Sequence, residues 1–152
     1  MGKSVRSRRS TEETLTQSPE ETQAWGEELA HGLRSGDCLL LSGELGAGKT
    51  TLVQGIARGL GIDPKEIISP TFVLIREHNG RIPLYHIDAY RITDPKELLE
   101  VGLLEYFEKP GLTIIEWGEK VRALAPVDAL EIHLEISQGD ERRIRLIRPM
   151  RS

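Results

Sequence analysis

Apolar and polar residues follow two different periods along this chain, which predict strands in some stretches and helices in others. Short, mainly apolar runs at residues 38–41 and 111–117 predict strands that are buried on both faces, as in a parallel sheet. Residues 128–137 and 142–148 instead alternate apolar with polar side chains, which is typical of strands with one solvated face. A glycine-containing turn at residues 138–140 separates these two stretches, so we expect a C-terminal hairpin.

Helical spacing is clearest in the first third of the chain. Ser18 is a good N-cap, and Pro19 and a glutamate at the third helical position follow it, which predicts a helix from residue 19 to about residue 35. Gly36 supplies a left-handed stop. A second helix is expected over residues 51–60. The apolar face of the first helix carries Trp25, Leu29 and Leu33.

Turn signals place two further elements in the middle of the chain. The dipeptide at residues 79–80, Asn-Gly, is a strong hairpin signal, and it separates apolar stretches at residues 72–78 and 81–88. An antiparallel pair is therefore expected, and it makes the sheet mixed. A cap-and-proline signal at residues 93–97 starts another helix, which Gly102 interrupts and which should cover the sheet.

The length of 152 residues fits one domain. Residues 1–17 begin with a basic, serine-rich stretch, so we expect a disordered N-terminal extension there and a folded domain over residues 18–150. Short basic tails are usually only solvated, although contact with RNA or a membrane surface is the alternative. The net charge of −4 argues against broad affinity for nucleic acids.

The number of cysteines and the hydropathy of the chain indicate the cellular compartment in which the protein is expected. Cys38 is the one cysteine of the chain and lies in an apolar run, so we expect it to be buried and no intrachain disulfide to form. No apolar stretch approaches the roughly 20 residues that a membrane span needs, and the N-terminus lacks the hydrophobic segment of a secretory signal. A cytoplasmic protein that does not enter the membrane is expected.

The most informative chemistry lies in residues 43–50, GELGAGKT, which match the phosphate-binding loop (P-loop) pattern at every defined position. The glycines let backbone N–H groups surround a phosphate, Lys49 reaches the β- and γ-phosphates, and Thr50 offers its hydroxyl to Mg²⁺. A buried strand precedes the motif and a helix follows it. The pattern therefore predicts a single-domain α/β P-loop NTPase fold, whose mixed, largely parallel central sheet is flanked by helices and extended by antiparallel hairpins.

Two acidic residues end predicted strands. Asp88 suits Mg²⁺ or a metal-bound water, with a solvated strand end as the alternative. Glu116 ends an apolar strand in the manner of a Walker B acid, with glutamate where aspartate is usual. It either holds Mg²⁺ through water or orients the attacking water, unless it is an exposed strand terminus. His86 has no second ligand at zinc spacing, so a zinc site is not expected.

For two stretches, the residues themselves do not decide between a functional and a purely structural role. Residues 69–72, SPTF, have the composition of a switch loop near a γ-phosphate, although an ordinary turn is the simpler interpretation. The arginines of residues 142–148 line an edge strand, where they discourage edge-to-edge pairing or else approach the nucleotide or a partner.

The order of four segments resembles the TsaE family: residues 43–51, GELGAGKTT; 69–72, SPTF; 85–91, YHIDAYR; and 116–117, EW. The resemblance covers about residues 18–148 and favours a functional role for the SPTF segment. It implies a small bacterial ATPase that is required, with the proteins TsaB and TsaD, for the threonylcarbamoyl modification of adenosine 37 in tRNAs that read ANN codons. Contact with tRNA would be indirect, through that complex. The basic N-terminal stretch departs from the family pattern.

The resemblance also implies ATP and Mg²⁺ as ligands and assigns residues to them. The nucleotide-binding residues are Leu45, Gly46, Ala47, Gly48, Lys49, Thr50, Thr51 and Trp117. Thr50 and Glu116 organise the metal. The catalytic set is Lys49, Thr71, Asp88 and Glu116, with Thr71 and Asp88 around the γ-phosphate.

Three classes of function remain compatible with the residues themselves: a hydrolytic ATPase that serves a complex, a small-molecule kinase, and a nucleotide-gated binding module. Small kinases usually carry an arginine-rich lid, whereas the arginines here are scattered. No Asn-Lys-x-Asp segment is present to read guanine, which disfavours a GTPase. No arginine finger is evident either, so we expect slow hydrolysis by the protein alone and stimulation by TsaB and TsaD.

Overall fold

The computed structural model describes residues 8–68 and 75–150, whose strands form one seven-stranded mixed sheet. The strands are β1 (Arg8–Thr16), β2 (Cys38–Ser42), β3 (Ile75–His78), β4 (Leu84–Asp88), β5 (Leu112–Glu116), β6 (Leu130–Gln138) and β7 (Glu141–Met150). Their order across the sheet is β1-β7-β6-β2-β5-β4-β3. The four central strands, β6, β2, β5 and β4, are parallel, while β1, β7 and β3 pair antiparallel. This confirms the predicted fold class and both predicted hairpins.

Helices cover both faces of this sheet. They are α1 (Pro19–Ala30), α2 (Lys49–Gly59), α3 (Lys96–Glu100) and α4 (Leu103–Glu108), with short 3-10 helices at Pro64–Glu66 and Gly118–Leu124. The Ser18 side chain caps α1, as predicted, by accepting a hydrogen bond from the Glu21 N–H at 3.1 Å. The helix ends at Ala30 instead of near residue 35. From His31 onward the backbone N–H groups bond carbonyl oxygens three residues back, as in single turns, and no longer four residues back. Gly102, with φ of 89°, separates α3 from α4.

The core has two halves, one on each face of the sheet. Successive side chains of β2 point to opposite faces, so this strand contributes to both halves. Leu39 and Leu41 join the cluster beneath α1 and α2. Leu40 and Cys38 face the opposite cluster, which α3 and α4 close with Leu98 and Leu103. Burial raises the pKa of the Cys38 thiol to about 12, with smaller contributions from neighbouring aspartates, so this free cysteine is unreactive.

The predicted disorder of the N-terminal extension is wrong for residues 8–16, which form β1 along the full length of β7. Backbone pairing and charge pairing hold this strand. Glu13 lies 3.8 Å from Arg143 and 3.5 Å from Arg145, and Glu12 lies 3.5 Å from Arg148. Because β1 covers β7, the arginines of β7 are not on an edge strand, contrary to the prediction.

The parallel centre of the sheet positions the site. The carboxyl ends of β2, β4, β5 and β6 lie at the same edge, since parallel strands run in one direction. Asp88 and Glu116 are register partners at the ends of β4 and β5, next to the end of β2, where the P-loop begins. In the described part of the chain, no helix combines the length and apolarity needed to cross a membrane.

Candidate nucleotide-binding site

A cavity of about 410 Å³ opens at this edge of the sheet, in front of the N-terminus of α2. Its lining residues are Leu45, Gly46, Gly48, Lys49, Thr50, Thr51, Asp88, Tyr90, Glu116 and Trp117. All of them except Tyr90 belong to the set predicted from sequence. The structure therefore brings residues from three separate segments of the chain to one concave surface.

The P-loop owes its shape to glycines. Gly46 and Gly48 have φ of 83° and 103°, in the left-handed region that other residues seldom adopt, and Gly48 is the N-cap of α2. The free N–H groups of the first turn of α2 make this end of the cavity favourable for anions. Ala47 differs from its neighbours because it is fully buried in the core, and it is the one predicted residue of the loop that does not line the cavity.

Lys49 lies inside the curve of the loop. Its ammonium donates to the carbonyl oxygens of Gly43 and Glu44, at 2.5 and 3.0 Å, and lies 4.2 Å from the centre of the Trp117 ring. Burial lowers the pKa of Lys49, while Glu116 and other nearby carboxylates oppose that shift. The ammonium is thus held at the cavity by the carbonyl oxygens of Gly43 and Glu44.

Glu116 is buried, with 3% of its surface exposed, which excludes the alternative of an exposed strand terminus. Its Oε2 atom accepts a hydrogen bond from the Thr50 hydroxyl at 3.4 Å and lies 2.5 Å from Nε2 of His86. His86 itself is fully buried, and its Nδ1 has no partner among the described residues. The carboxylate is therefore oriented from the P-loop helix on one side and from β4 on the other.

Asp88 is 7% exposed, so it is not a solvated strand end either. Its Oδ1 accepts a hydrogen bond from the Tyr90 N–H at 2.8 Å. Burial raises the pKa of Asp88, and the Glu116 carboxylate adds to this effect, whereas the Tyr90 N–H, His86 and Lys49 oppose it. Asp88 and Glu116 thus place two buried carboxylates side by side at the ends of β4 and β5.

Trp117 lines the cavity next to Lys49. With φ of 61°, it is the one residue other than glycine that has a positive φ in the described ranges 8–68 and 75–150. Its ring packs against Tyr90 at 5.2 Å between centroids. Such a conformation costs about 1–3 kcal/mol, and residues that keep it often lie at functional sites.

The described residues include no cluster of three or more histidine, cysteine or acidic side chains that would enclose a metal ion. The predicted Mg²⁺ ligands Thr50 and Glu116 contact each other, and their hydroxyl and carboxylate oxygens are ligand types that Mg²⁺ accepts.

One predicted residue, Thr71, lies outside the described residues together with the rest of the SPTF segment. Two residues near the cavity, His86 and Tyr90, were not predicted to act there. They alternate with Asp88 along the YHIDAYR segment, and that period of two was a signal that they lie on the same side of the chain. Arg142 contacts the P-loop backbone. An approach of the arginines of residues 142–148 to the nucleotide was one of the open alternatives, but the sequence did not single out Arg142.

A P-loop between a buried strand and a helix, facing two buried strand-end acids, defines this protein as a P-loop NTPase by fold. The family model for "Threonylcarbamoyl adenosine biosynthesis protein TsaE" matches residues 16–144. The chain belongs to the TsaE family.

Individual relatives agree with this assignment. The chain is 44% identical over 130 residues to the tRNA threonylcarbamoyladenosine biosynthesis protein TsaE of Bacillus subtilis, covering 85% of this chain and 80% of the relative. It is 38% identical over 130 residues to the protein of the same name from Treponema pallidum, covering 86% and 96%. The crystal structure of YdiB from Bacillus subtilis superposes with a TM-score of 0.78 at 37% identity, covering 93% of this chain and 87% of that one.

Proposed function

We propose that this protein is a Mg²⁺-dependent ATPase that serves as an accessory factor in making threonylcarbamoyladenosine in tRNA. One observation carries the proposal: Lys49 and Thr50 of the P-loop share a cavity with the buried carboxylates of Asp88 and Glu116. That arrangement suits phosphoryl transfer, which depends on positioning and charge neutralisation. The biosynthetic role comes from the names of the relatives, which are tRNA threonylcarbamoyladenosine biosynthesis proteins.

Within this proposal, the backbone of residues 45–51 and the start of α2 bind the phosphates of ATP, and Lys49 exchanges its carbonyl partners for phosphate oxygens. Thr50 and Glu116 hold Mg²⁺, which supplies neutralisation of the negative charge on the β- and γ-phosphates when it is bound. Trp117 and Tyr90, which pack against each other, line the cavity beside the proposed phosphate site.

The attacking water is oriented by a carboxylate, and Glu116 and Asp88 are the two candidates. Contacts with Thr50 and His86 fix Glu116, and a backbone N–H fixes Asp88, so neither has to reorganise during the reaction. Thr71 completes the proposed set around the γ-phosphate.

The proposed partners are TsaB and TsaD, with TsaD carrying out the threonylcarbamoyl transfer and tRNA contacted only through that complex. Among the described residues that line the cavity, none is an arginine. An arginine or an equivalent charge supplied by a partner accelerates related reactions by about 10³–10⁵. We therefore expect slow hydrolysis by the protein alone.

The fate of the γ-phosphate of radiolabelled ATP distinguishes this function from its rivals. The wild type should release inorganic phosphate without any added acceptor, and Glu116→Gln should bind ATP but hydrolyse it about 10²-fold or more slowly. Lys49→Ala, which removes the phosphate-binding ammonium, serves as the blank. Transfer of the label to a small acceptor would indicate a kinase instead. Bound ATP that is never cleaved, even with TsaB and TsaD present, would indicate a binding module.

A further inference from the structure

Arg142, at the start of β7, reaches across to the P-loop. Its Nε donates to the carbonyl oxygen of Ala47 at 2.9 Å, and its Nη2 donates to that of Gly46 at 3.2 Å. Its remaining nitrogen, Nη1, donates to the carbonyl oxygens of Gly139 and Glu141, at 2.6 and 3.1 Å. One guanidinium thus connects the turn between β6 and β7 to two consecutive peptide groups of the P-loop.

Those two peptide groups belong to the loop apex, residues 46–48, in which Ala47 packs into the core and the Gly48 carbonyl accepts a hydrogen bond from the Leu52 N–H at 2.9 Å. A Cβ placed on Gly46 would meet no atom within 4 Å, so the apex is open there, and Gly46 and Gly48 are both left-handed glycines with wide conformational freedom. Within the loop itself, the Ala47 N–H donates to the Glu44 carbonyl at 3.1 Å. Among the described residues, Arg142 is the side chain that hydrogen-bonds the Gly46 and Ala47 carbonyl oxygens at the apex.

Because the peptide bond is planar, the hydrogen bond from Arg142 to the Ala47 carbonyl also sets the direction of the Gly48 N–H. In a trans peptide the C=O and the following N–H point in opposite directions. When Arg142 holds the Ala47 carbonyl on the outer side of the loop, the Gly48 N–H is directed to the other side, and Gly48 lines the cavity. The same cation adds positive charge behind the loop, which favours an anion in front of it.

Arginine suits this role better than lysine because its planar fork presents donors to several acceptors in fixed directions. The turn carbonyls hold one branch of the fork and the P-loop carbonyls accept from the other two donors. The remaining arginines of β7 are used differently: Arg143, for example, lies 3.8 Å from both Glu13 and Glu135, away from the loop.

We propose that Arg142 is a positioning residue that holds the P-loop apex in the shape that receives phosphate. This inference rests on the proposed binding of a nucleotide at the cavity. Arg142 lies behind the loop and does not line the cavity, so it acts through the loop backbone and is not an arginine finger.

The test is calorimetric titration of Mg-ADP into the wild type, Arg142→Ala, Arg142→Lys and the matched control Arg143→Ala. Loss of charge-assisted hydrogen bonds to the loop should raise the Kd of Arg142→Ala about tenfold, and a lysine, which reaches fewer acceptors, should give an intermediate Kd. Arg143→Ala should bind like the wild type. Amide exchange at residues 47–48 in the nucleotide-free protein should become faster in Arg142→Ala and stay unchanged in Arg143→Ala.

A Kd for Arg142→Ala within twofold of the wild-type value would overturn the inference and leave the proposed function intact. An equal loss of affinity in Arg143→Ala would also overturn it, because the effect would then come from the strand as a whole. Failure of the wild type to bind Mg-ADP would instead refute the proposed function, and the inference with it. If Arg142→Ala folds poorly, Arg142→Lys, which keeps the charge and the stem, provides the comparison.

Discussion

Glu116 is the residue where the separate parts of the site meet. Thr50 from α2 and His86 from β4 contact one oxygen of its side chain, and Asp88 stands opposite it in the register of the sheet. Burying two carboxylates side by side costs folding free energy unless a cation or a proton compensates them. In the proposed function, bound Mg²⁺ would offset this cost.

This cost gives Asp88 a measurable pH dependence. Its pKa in the folded protein is raised by burial, so ionising it is less favourable in the folded than in the unfolded chain. The penalty is absent at pH below the unfolded pKa and grows as the pH rises through the folded pKa. We expect Asp88→Asn, which still accepts from the Tyr90 N–H, to raise the Tm of the nucleotide-free protein at about pH 8, with a gain that shrinks toward about pH 4.

Scanning calorimetry across this pH range checks the prediction, with Asp140→Asn on an exposed turn as the control. A Tm gain that is the same at every pH, or a lower Tm at alkaline pH, would show that Asp88 is not under electrostatic strain.

At the scale of elements, the P-loop helix is fixed by its close approach to α1. A Cβ on Gly55 of α2 would lie 2.1 Å from the carbonyl oxygen of Gln23, and one on Gly26 of α1 would lie 2.8 Å from that of Leu52. Real side chains do not reach such distances, so the two helices approach each other more closely than alanine allows. Since Lys49 and Thr50 open α2, this packing helps to set the position of the phosphate site.

Gly55→Ala should therefore force α1 and α2 apart. We expect a loss of about 1–3 kcal/mol in the free energy of unfolding, since the clash is with backbone, which cannot rotate away. Chemical denaturation measures the change. Gly32→Ala is the control, because the nearest atom to its Cβ would be 3.8 Å away and the substitution should cost no more than about 0.5 kcal/mol. Equal stability of the two variants would contradict the close approach.

For the molecule as a whole, the elements that could be predicted from the sequence are those that short-range patterns encode. The P-loop, its strand and helix, the hairpin around Asn79-Gly80 and the acids at the ends of β4 and β5 all followed from local residue types and spacing. Each of these signals lies within about ten consecutive residues, where turn chemistry and periodicity act directly.

The features that sequence reasoning missed depend on contacts between distant parts of the chain. β1 has few apolar residues and is held by pairing with β7, more than 120 positions away in register, so periodicity carried no signal for it. Arg142 meets the P-loop because β6 runs parallel to β2 and the turn after it returns to the edge where the loop begins. The sequence of β1 does not reveal its pairing with β7, and the sequence around Arg142 does not reveal its contact with the P-loop.

The proposed function requires that the cavity in front of the P-loop hydrolyses ATP in the service of a larger assembly. Steady-state phosphate release should be measured for the protein alone and with TsaB and TsaD from the same organism, with Lys49→Ala as the blank. We expect slow release by the protein alone, marked stimulation by the partners, and loss of both in Lys49→Ala. Equal rates with and without the partners, or stimulated release that survives in Lys49→Ala, would contradict it.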